Sequence, residues 1–257
     1  MLIMMKKAFR ILSIAAAVLL LLSSCGSKKD GDDKQQNRTG ESPETKPYSS
    51  MEDASADGKG TTLDMNSDSA DKNTVSSKGY EIVVKDGLTY VGGVLIANKT
   101  YSLPEDYAPG VTSEAEEAVN KMEEAAKEDG LELFVRSGYR SYSYQSTLYN
   151  NYVSRDGKAA ADRYSARPGH SEHQTGMAFD MNSLSQSFED TPEGKWLARN
   201  CWRYGFIIRY PKEKESITGY MYEPWHVRYL GTELAEKVYN SGLTLEEYLG
   251  ITSEYAD

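Results

Sequence analysis

The placement of the histidines is the feature that most constrains this chain. The chain has three histidines, and His170, His173 and His226 lie in two short segments that are well separated in the sequence. Asp180 belongs to the first segment and Glu223 to the second. A catalytic zinc ion takes three protein ligands of these residue types and leaves a fourth position for water. We therefore interpret the two segments as parts of one hydrolytic metal site, which the fold must bring together.

The segment that ends near Asp180 predicts a turn followed by a strand. Large apolar residues alternate with small or polar ones over 177–181, so a strand there would place Asp180 on the face opposite to the large apolar side chains. Gly176 permits a sharp turn just before this strand. Such a turn can fold His173 back toward Asp180, so the spacing permits a shared site.

We favour His173, Asp180 and His226 as the three metal ligands. Two neutral imidazoles and one carboxylate would leave a net positive zinc centre, which lowers the pKa of bound water toward about 7 and polarises a carbonyl. Pro224 favours an extended conformation for Glu223. We expect the Glu223 carboxylate to face this water and to act first as general base and then as general acid.

An alternative assignment uses other residues of the same motif. His170 and His173 could form a ligand pair on one helical turn, with Glu172 as the base. We prefer His173 without His170 because Pro168 and Gly169 indicate that a loop precedes the motif.

The first 24 residues are typical of an export signal. Basic residues precede an apolar run that is too short for a comfortable membrane span. The run ends in small residues before Cys25, as in a bacterial lipobox, so we expect a lipoprotein signal at 1–24 and lipid on Cys25. An ordinary amino-terminal anchor is the alternative. Either arrangement predicts an extracytoplasmic protein that is held at the cell membrane and faces the cell wall.

The composition changes after residue 78. Residues 25–78 are polar and cannot bury enough apolar surface to offset their ordering entropy, which predicts a disordered tether. Residues 79–257 are long enough for one domain with a core. Within this domain, Cys201 lies in an apolar helical pattern and is expected to be an inert buried thiol. The net charge of −10 and the lack of clustered lysine and arginine predict no nucleic-acid partner, and we expect a monomer.

The predicted elements of the domain favour an α+β fold. Asp86-Gly87 between two β-prone runs indicates a hairpin, and a third apolar run covers 93–99. A capping box from Ser113 to Glu116 opens a predicted helix over 113–129. The other predicted elements are a strand over 131–135, a helix around Gln145, a helix from Thr191, strands over 206–208 and 225–229, and helices over 233–239 and 243–249. This order lacks a regular βαβ alternation, so we expect a small mixed or antiparallel sheet with flanking helices.

Four motifs resemble those of a known family. SEHQTGMAFD at 171–180 and EPWH at 223–226 resemble the signature of the VanY-type D-alanyl-D-alanine carboxypeptidases, which belong to the M15 zinc peptidases. SGYRS at 137–141 with Gln145, and ANKTYSLP at 97–104, are also similar to segments of such enzymes. The resemblance covers roughly residues 94–231 and implies the fold shared by D,D-peptidases and the Hedgehog signalling domain.

The resemblance also implies a role for each motif residue. It implies Zn²⁺ held by His173, Asp180 and His226, with Glu223 as catalytic acid and base. It implies that Arg140 stabilises the charge on the attacked carbonyl oxygen and binds substrate. It also implies that Gln145 and Ser171 contact the substrate.

The function that we expect is removal of the terminal D-alanine from peptidoglycan stem peptides. Related enzymes with the same core residues cleave either the D,D bond of pentapeptides or the L,D bond of tetrapeptides, so an L,D-carboxypeptidase is the alternative. A wall-binding module that has lost catalysis is a further alternative, although this chain retains every motif residue. A solute-binding lipoprotein would require a longer chain with two lobes.

Overall fold

The computed structural model describes residues 74–256. The predicted signal at 1–24, Cys25 and most of the predicted tether lie outside the described residues. Among those that are described, no helix has both the length and the apolar character needed to cross a membrane.

The first sheet is an antiparallel meander of four strands. Its strands are β1 (Thr74–Val75), β2 (Glu81–Lys85), β3 (Leu88–Val91) and β4 (Val94–Leu95), in that spatial order. Asp86 and Gly87 both have positive φ values, 52° and 75°, as a two-residue hairpin turn of this kind requires. The predicted hairpin is therefore confirmed, whereas the apolar run over 93–99 contributes only the two residues of β4.

The second sheet carries the motif residues. It contains β5 (Val135–Ser137), β6 (Ala178–Met181), β7 (Phe206–Tyr210) and β8 (Glu223–Tyr229) in the order β5-β6-β8-β7, with every pair antiparallel. The central strands β6 and β8 are buried along almost their whole length. Asp180 pairs directly with His226 across these strands, so sheet register brings the two motifs together.

Seven α-helices and three 3-10 helices are found among the described residues. The α-helices are α1 (Ser113–Glu128), α2 (Tyr142–Asp156), α3 (Lys158–Ala161), α4 (Pro192–Asn200), α5 (Glu215–Thr218), α6 (Thr232–Ser241) and α7 (Leu245–Leu249), and the 3-10 helices are Glu172–Thr175, Gln186–Asp190 and Cys201–Tyr204. With two antiparallel sheets and these helices, the α+β prediction is confirmed.

Three apolar cores hold the described residues together, and the two larger ones pack on the sheet that carries the site. In the first, Val119 and Met122 of α1 and Leu197 of α4 pack with Phe179 and Val227 of the second sheet. Cys201 is buried in the same core, and burial raises the pKa of its thiol to about 12, as expected of an inert residue. The second core joins the first sheet to β7, α6 and α7.

Three local predictions differ from the structure. Thr112 rather than Ser113 caps α1, because its side chain accepts a hydrogen bond from the Ala115 amide. The strand predicted over 131–135 begins only at Val135, because sheet pairing with β6 starts there. Thr74–Val75 pairs with β2, although this segment falls within the range predicted as tether.

Candidate active site

Three buried side chains from three elements meet at one point. His173 lies on the 3-10 helix Glu172–Thr175, Asp180 on β6 and His226 on β8. One ligand atom from each lies within 4.8 Å of the others, and each residue is at most 4% exposed. The structure therefore brings together the three residues that were predicted as metal ligands.

Gly176 fixes the turn that places His173 beside β6. Its φ of 71° lies in the left-handed region, and a Cβ at this position would come within 1.8 Å of the Gly110 carbonyl oxygen. Any side chain there would push the two backbones apart. The predicted turn at Gly176 is confirmed, and both conformation and close approach explain why glycine occupies it.

The imidazole of His173 is oriented by a backbone carbonyl. Its Nδ1 lies 2.7 Å from the Gly138 carbonyl oxygen, so Nδ1 carries the proton and donates it. The lone pair on Nε2 therefore faces Asp180 Oδ2 at 3.3 Å. Burial and the Arg140 charge lower the pKa of His173 to about 4, which keeps the ring neutral, as a metal ligand must be.

His226 faces several carboxylates. Its Nδ1 lies 3.2 Å from Asp180 Oδ1 and 3.6 Å from Glu223 Oε2, and its Nε2 points toward Glu172. Burial alone would lower the pKa of His226, but hydrogen bonding and negative charge from these carboxylates outweigh burial and raise it to about 9. The same surplus of negative charge favours a divalent cation, which competes with protons for its ligands.

The Arg140 guanidinium contacts two of the predicted metal ligands. Its Nη2 donates to Asp180 Oδ2 and lies 2.9 Å from His173 Nε2, while Nε donates to Ser137 Oγ at 3.1 Å. A cationic group thus already contacts two of the three proposed ligands. This contact and the nitrogen and oxygen donor set show that the cluster fits a metal cation such as zinc.

Glu223 stands at the start of β8 beside this cluster. The register between β7 and β8 shifts between Ile208 and Tyr210, and Glu223 pairs with Tyr210 just beyond the shift. Such irregularities re-aim a side chain. Burial raises the pKa of Glu223 to about 8, with the Asp180 charge adding to burial and the positive charges of His226 and Arg140 opposing it. A carboxyl group of this kind can hold or release a proton near neutral pH.

The predicted substrate contacts, Gln145 and Ser171, are both buried. Gln145 Nε2 donates to the Ala166 carbonyl at 2.8 Å, which gives this amide group a structural role. Gln145 Oε1 is buried without a hydrogen-bond partner among residues 74–256. Substrate binding by the two residues stays a prediction.

His170 and Glu172, the residues of the alternative assignment, have other partners in the structure. His170 Nδ1 lies 2.8 Å from the Asn98 carbonyl oxygen, and the ligand cluster found among the described residues does not include it. The Glu172 carboxylate forms ion pairs with Arg209 and Arg228, so it is not free to serve as a base. The alternative assignment is therefore not supported.

One feature of the surroundings was not found from sequence. Glu172, Arg209, Arg228 and Glu246 form a fully buried ion-pair network behind the ligand cluster. A signal was present, because arginines inside apolar strand segments such as FIIRY and WHVRY are rarely buried unless they are paired.

Comparison with known proteins agrees with this geometry. A family model described as VanY, D-alanyl-D-alanine carboxypeptidase, matches residues 109–232. A Bacillus subtilis protein named as a carboxypeptidase, YodJ, is 38% identical over an alignment of 275 positions that covers 95% of this chain and 97% of that protein.

Solved structures extend the comparison to the fold. The L,D-carboxypeptidase DacB from Streptococcus pneumoniae has 43% identity and a TM-score of 0.59, and the match covers 72% of this chain and 99% of DacB. A mutant of the vancomycin resistance D,D-pentapeptidase VanY, in complex with Zn(II), has 36% identity and a TM-score of 0.54. The match covers 60% of this chain and 97% of that chain. The chain therefore belongs to the VanY family of D-alanyl-D-alanine carboxypeptidases and is a metallopeptidase.

Proposed function

We propose that this chain is a zinc-dependent carboxypeptidase that removes the terminal D-alanine from peptidoglycan stem peptides. The observation that carries the proposal is the buried cluster of His173, Asp180 and His226, with the Glu223 carboxylate 3.6 Å from a ligand nitrogen. A VanY enzyme of this family is a D,D-pentapeptidase that binds Zn(II), which supports both the metal and the substrate.

The zinc ion would be held by His173 Nε2, a carboxylate oxygen of Asp180 and His226 Nδ1. When bound, zinc supplies a Lewis acid that polarises the scissile carbonyl and acidifies water. The three ligand atoms already lie within 4.8 Å of one another, so the change required when the ion binds is a turn of the Arg140 guanidinium away from Asp180 and His173.

Glu223 moves the proton during hydrolysis. Its carboxylate accepts a proton from the attacking water as the water oxygen bonds to the carbonyl carbon. The protonated carboxyl group then donates that proton to the amide nitrogen as the carbon–nitrogen bond breaks and D-alanine leaves. Burial of Glu223 supports this role because it raises the pKa of the carboxyl group to about 8. A group with a pKa near neutral pH can both accept and donate a proton.

Arg140 stabilises the charge that develops on the carbonyl oxygen. Its guanidinium stays protonated and presents a planar set of donors. The group contacts Asp180 and His173 and retains an exposed fraction of 17% in its side chain. It therefore lies where it can turn from the ligand atoms toward a substrate oxygen. Ser171 and Gln145, whose Oε1 has no partner among residues 74–256, are assigned to substrate binding on the family resemblance.

L,D-cleavage is the second candidate because one comparison favours it. The L,D-carboxypeptidase DacB shares 43% identity with this chain, against 36% for the D,D-pentapeptidase VanY. The two candidates share the metal site and Glu223, and they differ in the residue before the cleaved bond, which is D-alanine in a pentapeptide and an L-residue in a tetrapeptide.

Mass spectrometry of peptides incubated with the zinc-loaded protein separates the candidates. The proposal predicts loss of one alanine from a stem pentapeptide and no change in a stem tetrapeptide. Loss from the tetrapeptide alone would establish L,D-cleavage. Loss from neither peptide, with folded and zinc-loaded protein, would favour a non-catalytic wall-binding module.

The proposed location follows from the amino-terminal sequence. Residues 1–24 would direct export, Cys25 would carry lipid, the residues that follow up to 73 would be a tether, and the catalytic domain, predicted as 79–257, would begin with β1 at Thr74. The tether would let a membrane-held enzyme reach stem peptides in the wall. Replacing Cys25 by serine should release the protein from the membrane fraction, and unchanged membrane association would contradict the lipid anchor.

A further inference from the structure

The buried ion-pair network lies directly behind the ligand cluster. Glu172, Arg209, Arg228 and Glu246 are each at most 2% exposed. Two carboxylates oppose two guanidinium groups, so the charges of the network balance, as buried charges require. The proposed catalytic steps use none of the four residues, although Glu172 directly precedes the ligand His173 in sequence.

One oxygen of Glu172 is held by both arginines. Oε1 accepts hydrogen bonds from Arg209 Nε at 2.8 Å and from Arg228 Nη1 at 3.0 Å. Arg209 is held in turn by Glu246, and Arg228 donates to the Leu95 carbonyl at 2.8 Å. The carboxylate of Glu172 is therefore fixed in orientation.

The other oxygen of Glu172 faces a metal-ligand histidine. Glu172 Oε2 lies 3.6 Å from His226 Nε2. Both atoms are buried, and neither has a hydrogen-bond partner among residues 74–256. Unpaired buried polar atoms are rare in folded proteins. Although 3.6 Å is too long for a hydrogen bond, a shift of roughly 0.7 Å would form one.

That hydrogen bond would decide which nitrogen of His226 carries the proton. A proton on Nε2, donated to Glu172, leaves a lone pair on Nδ1, the atom that faces Asp180 Oδ1 at 3.2 Å. His173 has the equivalent arrangement, since its Nδ1 donates to Gly138 and its Nε2 faces Asp180. Ligating histidines usually donate their second N–H to a carboxylate or a carbonyl.

We propose that Glu172 is a positioning residue for His226. It holds the imidazole with the proton on Nε2 and directs Nδ1 toward the metal, while Arg209 and Arg228 hold Glu172 in place. This inference rests on the proposed metal site. It adds a buried carboxylate that touches neither the metal nor the substrate.

The substitution Glu172→Gln tests this role because it reverses the direction of the hydrogen bond between residue 172 and His226. The amide oxygen of glutamine would remain on the two arginines, so its NH₂ group would face His226 Nε2 and donate to it. His226 would then carry its proton on Nδ1, which cannot bind a metal in that form. We expect Zn²⁺ affinity, measured on the full chain by competition with a chelator, to fall roughly 10- to 100-fold.

Glu246→Gln is the matched control. Glu246 is equally buried and pairs with the same Arg209, so this substitution removes the same charge from the same network without a contact to His226. We expect its Zn²⁺ affinity to stay within about threefold of the wild-type value. Equal losses of affinity in both variants, or no loss in Glu172→Gln, would overturn the positioning role.

Nitrogen NMR of the zinc-loaded wild-type protein provides a test that needs no variant. With three histidines in the chain, the ring nitrogens of His226 can be assigned. We expect a protonated, hydrogen-bonded Nε2 and a metal-bound Nδ1. A proton on Nδ1, or zinc on Nε2, would overturn the inference and leave the proposed function intact. Failure of the wild-type protein to bind Zn²⁺ would overturn the metal site and the positioning role together.

Discussion

Two charged regions lie side by side in the interior of this protein, and they differ in the balance of negative and positive groups. The network of Glu172, Arg209, Arg228 and Glu246 pairs two negative groups with two positive ones. The ligand cluster places the carboxylates of Asp180 and Glu223 around two histidines, and the pKa of one of them rises to about 9.

The difference separates charged groups that hold the fold in place from charged groups that bind a cation or take part in the reaction. The balanced network has no surplus charge to attract a cation, and among the described residues only its Glu172 Oε2 is left without a partner, facing His226. A buried cluster with surplus negative charge attracts a cation, and here it already contacts the Arg140 guanidinium. Substitutions in the first region should therefore alter stability, except at Glu172, which faces the ligand His226, and substitutions in the second should alter metal binding or rate.

Among substitutions that keep the three metal ligands, Glu223→Gln is expected to have the largest effect on rate. The glutamine keeps the shape of the side chain but cannot accept the proton from water, so kcat should fall by roughly 10²- to 10⁴-fold. Alanine release from a stem peptide measures this change. Glu236→Gln, at an exposed position on α6, is the control and should retain wild-type activity. Activity of Glu223→Gln within a few-fold of wild type would show that another group moves the proton.

Arg209→Met should have the largest effect on stability. It leaves two buried carboxylates without their shared partner, and breaking a buried pair in this way costs about 3–5 kcal/mol. Urea unfolding measures the loss. The control is Arg163→Met, which breaks the exposed pair with Glu215 and should cost about 0–1 kcal/mol. Similar losses in the two variants would remove the distinction between the buried network and a surface ion pair.

A smaller effect on rate is expected from Arg140→Met. Loss of one donor to the developing oxyanion lowers kcat by roughly 10²- to 10³-fold, while the three metal ligands stay in place. The comparison variant is Arg136→Met, which removes an exposed arginine from β5 and should behave like wild type. If Arg140→Met changed only the urea midpoint and left kcat unaltered, Arg140 would belong with the balanced network.

The sequence predicted the parts of the molecule that depend on local pattern. The hairpin at Asp86-Gly87, the α+β class and the turn at Gly176 follow from backbone preferences and side-chain alternation. The ligand set could be inferred because the chain places its few histidines in two motifs, and because the loop at Pro168-Gly169 and the family resemblance favoured His173 over His170. A register that sets Asp180 opposite His226 then completes the cluster.

The parts that the sequence did not predict depend on tertiary contacts. Arg209 and Glu246 lie far apart in the chain, and only packing of α7 against β7 places their charges together. The role of Glu172 could not be separated from that of a catalytic base until both arginines were located beside it. The cap at Thr112 and the late start of β5 likewise follow from neighbours that local pattern does not specify.

Removal and return of the metal tests the central claim most directly. Alanine release from a stem peptide is followed as a chelator strips the protein and Zn²⁺ is then added back in measured amounts. We predict loss of activity and full recovery at one zinc ion per chain, with no recovery when His173, Asp180 or His226 is replaced by alanine. Undiminished release from metal-free protein, or recovery in those variants, would contradict the assignment of this cluster as the catalytic metal site.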